Sequence, residues 1–120
     1  MKWCGLVRAF FWGALLWMPL ASRAASWYVA TNGLDSNAGT NWTTAKISIQ
    51  AAVDAASNGD LVFVTNGVYV GTNQIVISKS ISVQSVNGPT STVVKGGGAY
   101  RCIYLNNTGA VIQGFCITNG

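Results

Sequence analysis

Beyond residue 60 the apolar positions come in short runs, each closed by a corner of Gly, Asn, Ser or Pro. Leu61-Val62-Phe63-Val64 is continuously apolar, the pattern of a strand covered on both faces. Further β-branched segments at residues 74–77, 81–85, 91–95, 101–105 and 110–118 each predict a strand. Upstream, Trp27-Tyr28-Val29-Ala30 predicts another, followed by a polar loop over residues 31–41 that is dense in turn formers. One segment carries a helical period: Ile49, Ala52, Val53 and Ala56 fall at i, i+3, i+4 and i+7. Ser48 is placed to cap its start, and Asn58-Gly59 to stop its end in the left-handed conformation. A short helix with an alanine-rich stripe is not stable alone and has to lie against something.

Asn-Gly recurs at residues 32, 58, 66, 87 and 119, so the chain repeatedly turns a tight corner. The pairs Asn66-Gly67, Asn87-Gly88 and Asn119-Gly120 bound successive strand segments. Two architectures use such corners. In an antiparallel arrangement residues 61–70 form a hairpin with Asn66-Gly67 at its tip. In a parallel one the chain coils, and each short strand stacks on one from the turn before. Pro89, directly after Asn87-Gly88, favours the coil, because a returning hairpin strand needs the backbone donor that proline lacks. Residues 81–88 and 112–120 look like two versions of one segment, their Asn-Gly corners 32 residues apart after a gap of 21.

The first 24 residues have a different character. Lys2 and Arg8 precede an apolar run over residues 9–20, Pro19 breaks it, and Ala21-Ser22-Arg23-Ala24-Ala25 follows. This is the pattern of a secretory signal peptide cleaved after Ala24. The alternative, a retained membrane anchor, is disfavoured because the run is 12 residues long, against roughly 20 for a spanning helix. Export to the medium or the cell surface is therefore expected. Cleavage also changes the charge: residues 25–120 keep Lys46, Lys79, Lys95 and Arg101 against Asp35, Asp54 and Asp60, a net charge of +1. Such a chain has no electrostatic footprint for nucleic acid and no draw toward an anionic membrane. Cys4 leaves with the leader; Cys102 and Cys116 either form one disulfide or, as slightly preferred, pack as small apolar side chains.

The absence of His and Glu excludes a Ser-His-Asp triad, a Cys-His dyad and an imidazole zinc site within this chain. Asp35, in Asn32-Gly33-Leu34-Asp35-Ser36-Asn37, offers a calcium ion too few oxygens; an Asx-type turn, in which Asp35 or Asn37 bonds its own backbone, is expected instead. Asp54 is expected to face water and Asp60 to satisfy a turn. Lys79, Lys95 and Arg101 could meet an acidic sugar, or serve as solubilising and edge-protecting charges. Trp27, Trp42, Tyr69, Tyr100 and Tyr104 are candidates for a sugar-stacking platform, with packing beside the helix the simpler role for Trp27 and Trp42. Asn41-Trp42-Thr43 and Asn106-Asn107-Thr108 match the N-glycosylation pattern.

The order of pieces Tyr28-Val29-Ala30-Thr31-Asn32-Gly33-Leu34-Asp35-Ser36-Asn37-Ala38-Gly39-Thr40, Ile49-Gln50-Ala51-Ala52-Val53-Asp54-Ala55-Ala56, Gly59-Asp60-Leu61-Val62-Phe63-Val64 and Gly67-Val68-Tyr69 resembles the opening of secreted right-handed parallel β-helix proteins of the pectate-lyase-like fold. Residues 112–120 are similar to their Ile-x-Gly-Phe-x-Ile-x-Asn-Gly rung. The resemblance implies an all-β solenoid with an N-terminal capping helix: leader 1–24, strand, loop and cap 25–59, and first rungs 60–120. It implies that Gly59-Asp60 turns the corner into the first strand, that Ile112, Phe115 and Ile117 point inward, and that Cys116 points outward. It also implies that the chain is an N-terminal piece, onto which further rungs of the same protein stack. In polysaccharide lyases of this fold the calcium-binding acids and the catalytic Lys or Arg lie on central rungs, so no catalytic residue, metal or cofactor is expected within these 120 residues. The expected role is to bind or process extracellular polysaccharide, or alternatively to serve as the structural solenoid of an adhesin or autotransporter-like passenger.

Overall fold

The computed structural model describes residues 24–71 and 73–119; Cys4 and the expected leader up to residue 23, and Gly120, lie outside them. Among the described residues the strands are β1 (Ser26–Val29), β2 (Leu61–Val64), β3 (Gly67–Val70), β4 (Ile75–Ile77), β5 (Ser82–Ser85), β6 (Thr92–Lys95), β7 (Ile103–Leu105), β8 (Val111–Gln113) and β9 (Cys116–Thr118). One helix, α1 (Ile49–Ala55), and a single 3-10 turn at Trp42–Thr44 stand between β1 and β2.

Every strand pair is parallel. The strands form three sheets, ordered β1-β2-β5-β8, β3-β6-β9 and β4-β7. From β2 onward the chain lays one strand in each sheet before returning to the first. The hairpin alternative is overturned: β2 and β3 lie in different sheets and do not pair. Asn66-Gly67 therefore bends the chain from one sheet into the next, which needs no return of direction.

In-register stacking builds the core as columns of like residues. Val62 and Val83, register partners in β2 and β5, are completely buried, and Val29 and Val64 form a second buried pair. Tyr69, Val94 and Ile117 make a third column, and Ile77 and Leu105 a fourth. Burial is lost along them: Val94 is 2% exposed and Ile117 49%, Ile77 0% and Leu105 41%. Ile117 thus shares the inward column of Val94, but no described strand stacks above it. Ile112 and Phe115 are partly buried against the core, and Cys116 is exposed.

At the opposite end α1 lays its stripe on the core: Ile49, Ala52, Val53 and Ala56 are all buried in one cluster with residues of all three sheets. The Ser48 hydroxyl accepts the Ala51 N–H at 3.2 Å, the expected N-cap. The other end differs from expectation. The helix stops at Ala55, with Ala56 already extended, so Asn58-Gly59 is not its stop. Gly59 instead takes its positive φ of 92° in the turn before β2.

The segment 112–120 is also corrected. It is not one unit but two strands, β8 and β9, split at Gly114. Gly114 sits where the chain leaves the first sheet for the second, the place Asn87-Gly88 holds one turn earlier. A side chain there would strike the Ser85 hydroxyl, which donates to the Gly114 carbonyl. Asn119 lies at the next corner, with a left-handed φ of 54°, and donates to the Gly96 carbonyl at 2.9 Å. The 32-residue spacing is therefore not a register; β5 and β8 pair with an offset of 29 (Ser82 with Val111).

Candidate functional site

The parallel register settles which side chains share a surface. In the four-stranded sheet Tyr28, Phe63, Gln84 and Gln113 are successive register partners on the outward face. With strands about 4.8 Å apart, four such positions span about 14 Å. The loop after β1 brings Trp42 onto this row: its ring meets Tyr28 edge-on, with centroids 4.6 Å apart, and Tyr28 lies 5.9 Å from Phe63. Trp42 is still 43% exposed. Asn41 holds it there, its carboxamide oxygen accepting the Thr44 N–H at 3.0 Å and so capping the 3-10 turn. Beyond the rings, the Gln113 amide donates to Gln84 at 2.7 Å. The result is one stripe, aromatic at one end and amide at the other. Aromatic walls with a few placed polar groups are a common make-up for binding small polar ligands.

The platform expected from sequence divides differently. Trp42 belongs to the stripe. Trp27 points inward, donating its indole N–H to Asp60 at 2.9 Å. Tyr69 is a core residue whose hydroxyl donates to the Thr65 carbonyl at 2.9 Å, and burial raises its phenol pKa above the usual value. Tyr100 and Tyr104 lie away from the stripe, Tyr104 on β7 with the Arg101 guanidinium 5.0 Å from its ring centre. Tyr28, Phe63, Gln84 and Gln113 were not singled out by sequence, since their alignment depends on register between strands 21 to 35 residues apart.

The charged candidates are mostly structural. Asp35 accepts from the Ile47 and Ser48 N–H groups at 3.1 and 2.9 Å and from the Ser48 hydroxyl at 2.9 Å. It thereby ties the polar loop to the start of α1 rather than bonding its own turn. A carboxylate facing these donors does not fit a calcium ligand set, and among the described residues no three His, Cys, Asp or Glu side chains converge. Asp60 is buried and accepts from the Ser57 N–H at 2.8 Å, the Ala25 N–H at 2.9 Å and the Trp27 indole. Burial alone would raise its pKa, but these donors, together with the Lys79 charge, hold it below the usual carboxylate value. Asp54 is exposed and accepts from the Gln50 amide at 2.9 Å.

Lys79 is engaged within the fold. Its ammonium donates to the carbonyls of Val53, Asp54 and Ala56 at 3.0, 2.9 and 2.6 Å, the last turn of α1. Lys46 likewise donates to the Asp35 and Asn37 carbonyls at 3.0 and 2.7 Å. Lys95 is exposed, in the column of Val70 and Thr118 on the second sheet. The stripe itself therefore carries no charged side chain. Asn66 and Asn87 stack at one corner, with the Asn87 amide donating to Asn66 at 2.8 Å. Gly88 and Gly67 follow them with positive φ. Among the described residues Cys102 and Cys116 form no disulfide; Cys102 is buried, with its thiol 3.2 Å from the Thr118 carbonyl.

No family model matches the sequence, and neither the curated proteins nor the solved structures provide a match.

Proposed function

We propose that this chain opens a right-handed parallel β-helix, exported after removal of its first 24 residues, that binds extracellular polysaccharide through the outward face of its longest sheet. The fold reading is supported by the repeated visit to three parallel sheets, with α1 over one end of the core. Right-handedness follows the strong bias of parallel crossovers. Apolar columns that end exposed at Leu105 and Ile117 support further rungs stacking there.

One observation carries the binding reading: the uncharged row of Trp42, Tyr28, Phe63, Gln84 and Gln113. Rings suit the apolar faces of sugars, and amides suit their hydroxyls. The lack of charge favours a neutral glycan over a uronate, which calls for Arg or a metal. Asp35 and Asp60 are occupied in holding the fold, so binding is assigned here in preference to acid-base chemistry.

The test is affinity electrophoresis of the secreted protein in gels containing neutral glucans, xylans, mannans or polygalacturonate. Retardation by a neutral polymer, weakened about tenfold by Trp42→Ala or by Gln84→Ala with Gln113→Ala, is expected. Unchanged mobility in every gel removes the reading. If polygalacturonate alone retards the protein, and salt abolishes the effect, the neutral class is wrong.

A further inference from the structure

The buried Asp60 carboxylate holds its position with N–H donors from three places, and one of them is the backbone nitrogen of Ala25, 2.9 Å from Oδ1. That nitrogen is the atom a signal peptidase would set free by cutting after Ala24. We infer that this cut creates an ion pair which locks the start of the mature chain to the first corner of the sheet. The inference rests on the export reading above.

The chemistry balances simply. The peptidase adds water across the Ala24–Ala25 peptide bond; the carboxylate departs with Ala24, and the amine left on Ala25 takes up a proton. A neutral N–H donor to Asp60 becomes an ammonium in the same place. Ala24 and Ala25 are exposed, so the end of the chain is open to solvent, while Asp60 is only 6% exposed. A buried carboxylate is costly unless a counter-charge meets it. The charged group already facing it is Lys79, whose ammonium is engaged by the three helix carbonyls. The other groups in contact, Trp27 Nε1 and the Ser57 N–H, are neutral donors. Of the other two acids, Asp54 on α1 is exposed and directed to Gln50, and Asp35 accepts from Ile47 and Ser48.

The arrangement is also mechanically sound. The Ala25 carbonyl accepts the Leu61 N–H at 2.9 Å, so β1 and β2 already hold Ala25 beside Asp60. The processed terminus needs no rearrangement to make its contact. Maturation would thus tighten the first sheet at its outermost strand, where fraying otherwise begins.

The sign follows from linkage. The pair raises the α-ammonium pKa above its ordinary value of about 8, so its stabilisation is present below that pH and is lost as pH rises through the raised value. The experiment expresses the full chain in a secreting host and first determines the N-terminus of the product by mass spectrometry. A start at any residue other than Ala25 overturns the processing on which the pair depends. With an Ala25 start, half the product is acetylated selectively at the α-amine near pH 6.5, leaving the lysines free. The untreated protein is expected to unfold at higher denaturant than the acetylated one at pH 7, with the difference vanishing by about pH 10. The α-amine is also expected to titrate above pH 8 by NMR, a readout that does not depend on either form's stability. Equal midpoints at pH 7 with an α-amine titrating at its ordinary value overturn the ion pair while leaving export and glycan binding intact.

Discussion

The Lys79 ammonium lies 2.6 Å from the Ala56 carbonyl oxygen and reaches two more carbonyls of the same helix end. A lysine 23 residues downstream of Ala56 thus does the work that a glycine at the helix terminus often does. It meets the negative end of the helix dipole and satisfies carbonyls that have no intrahelical donor. Lys79→Met keeps the aliphatic stem and removes the donors. It is expected to lower unfolding stability by about 1–2 kcal/mol, measured by urea denaturation, with Lys79→Arg recovering part of the loss.

Gln50 gives α1 a second attachment. Its side-chain oxygen accepts the Val76 N–H at 2.8 Å, and its amide donates to the Val76 carbonyl at 3.2 Å. Ile75 and Ile77 bond β7 on the other side of β4, so the carboxamide takes the place of a neighbouring strand on an edge that pairs with no other strand among the described residues. Gln50→Ala is expected to cost about 1–2 kcal/mol. It should also raise hydrogen exchange at the Val76 amide more than at Ile75, whose N–H stays bonded to Cys102.

Asp60 sets the acid limit. Its lowered pKa means that stability is present above the ordinary carboxylate range and lost as pH falls through the folded value. Asp60→Asn places an NH₂ group or a weaker acceptor before donors that need oxygen. A loss of about 2 kcal/mol at pH 7 is expected, with a flatter dependence on pH below 4. Thermal unfolding across pH 2–7 would show a parallel, rather than flattened, curve if Asp60 were not the group responsible.

Thr92 offers a gain. It is fully buried beside the column position of Gly67, and among the described residues its hydroxyl has no hydrogen-bond partner. Thr92→Val keeps the shape and removes an uncompensated polar atom, so stability is expected to rise by about 1 kcal/mol. A lower denaturation midpoint in Thr92→Val would contradict this.

Gly67 should tolerate no side chain. It has a φ of 145°, and an added Cβ would meet the Thr31 methyl. Gly67→Ala is expected to destabilise by about 1–3 kcal/mol. Combining it with Thr31→Ser should restore the part due to collision, measured as a double-mutant cycle.

Local signals along the chain determine a good deal of this fold. The stripe of Ile49, Ala52, Val53 and Ala56 marked a buried helix face, Ser48 marked its first turn, and the short β-branched runs marked most of the strands, though not β3 at Gly67–Val70 nor the division of 110–118 into β8 and β9. Pro89 argued for parallel stacking over a returning hairpin. Each rests on spacing within a few residues, where backbone geometry dictates which side chains share a face. The roles of Lys79, Gln50 and the Tyr28–Gln113 row, and the Ala25 and Trp27 donors that join the local Ser57 N–H on Asp60, were decided only by the tertiary structure, because each depends on groups brought together from 21 to 35 residues away. The split at Gly114 belongs with them: a glycine within a strand-like run becomes a corner when the Ser85 hydroxyl of the preceding turn occupies the space a side chain would need. Periodicity tells which residues face the same way along one segment; register between segments, set by packing, decides what they meet.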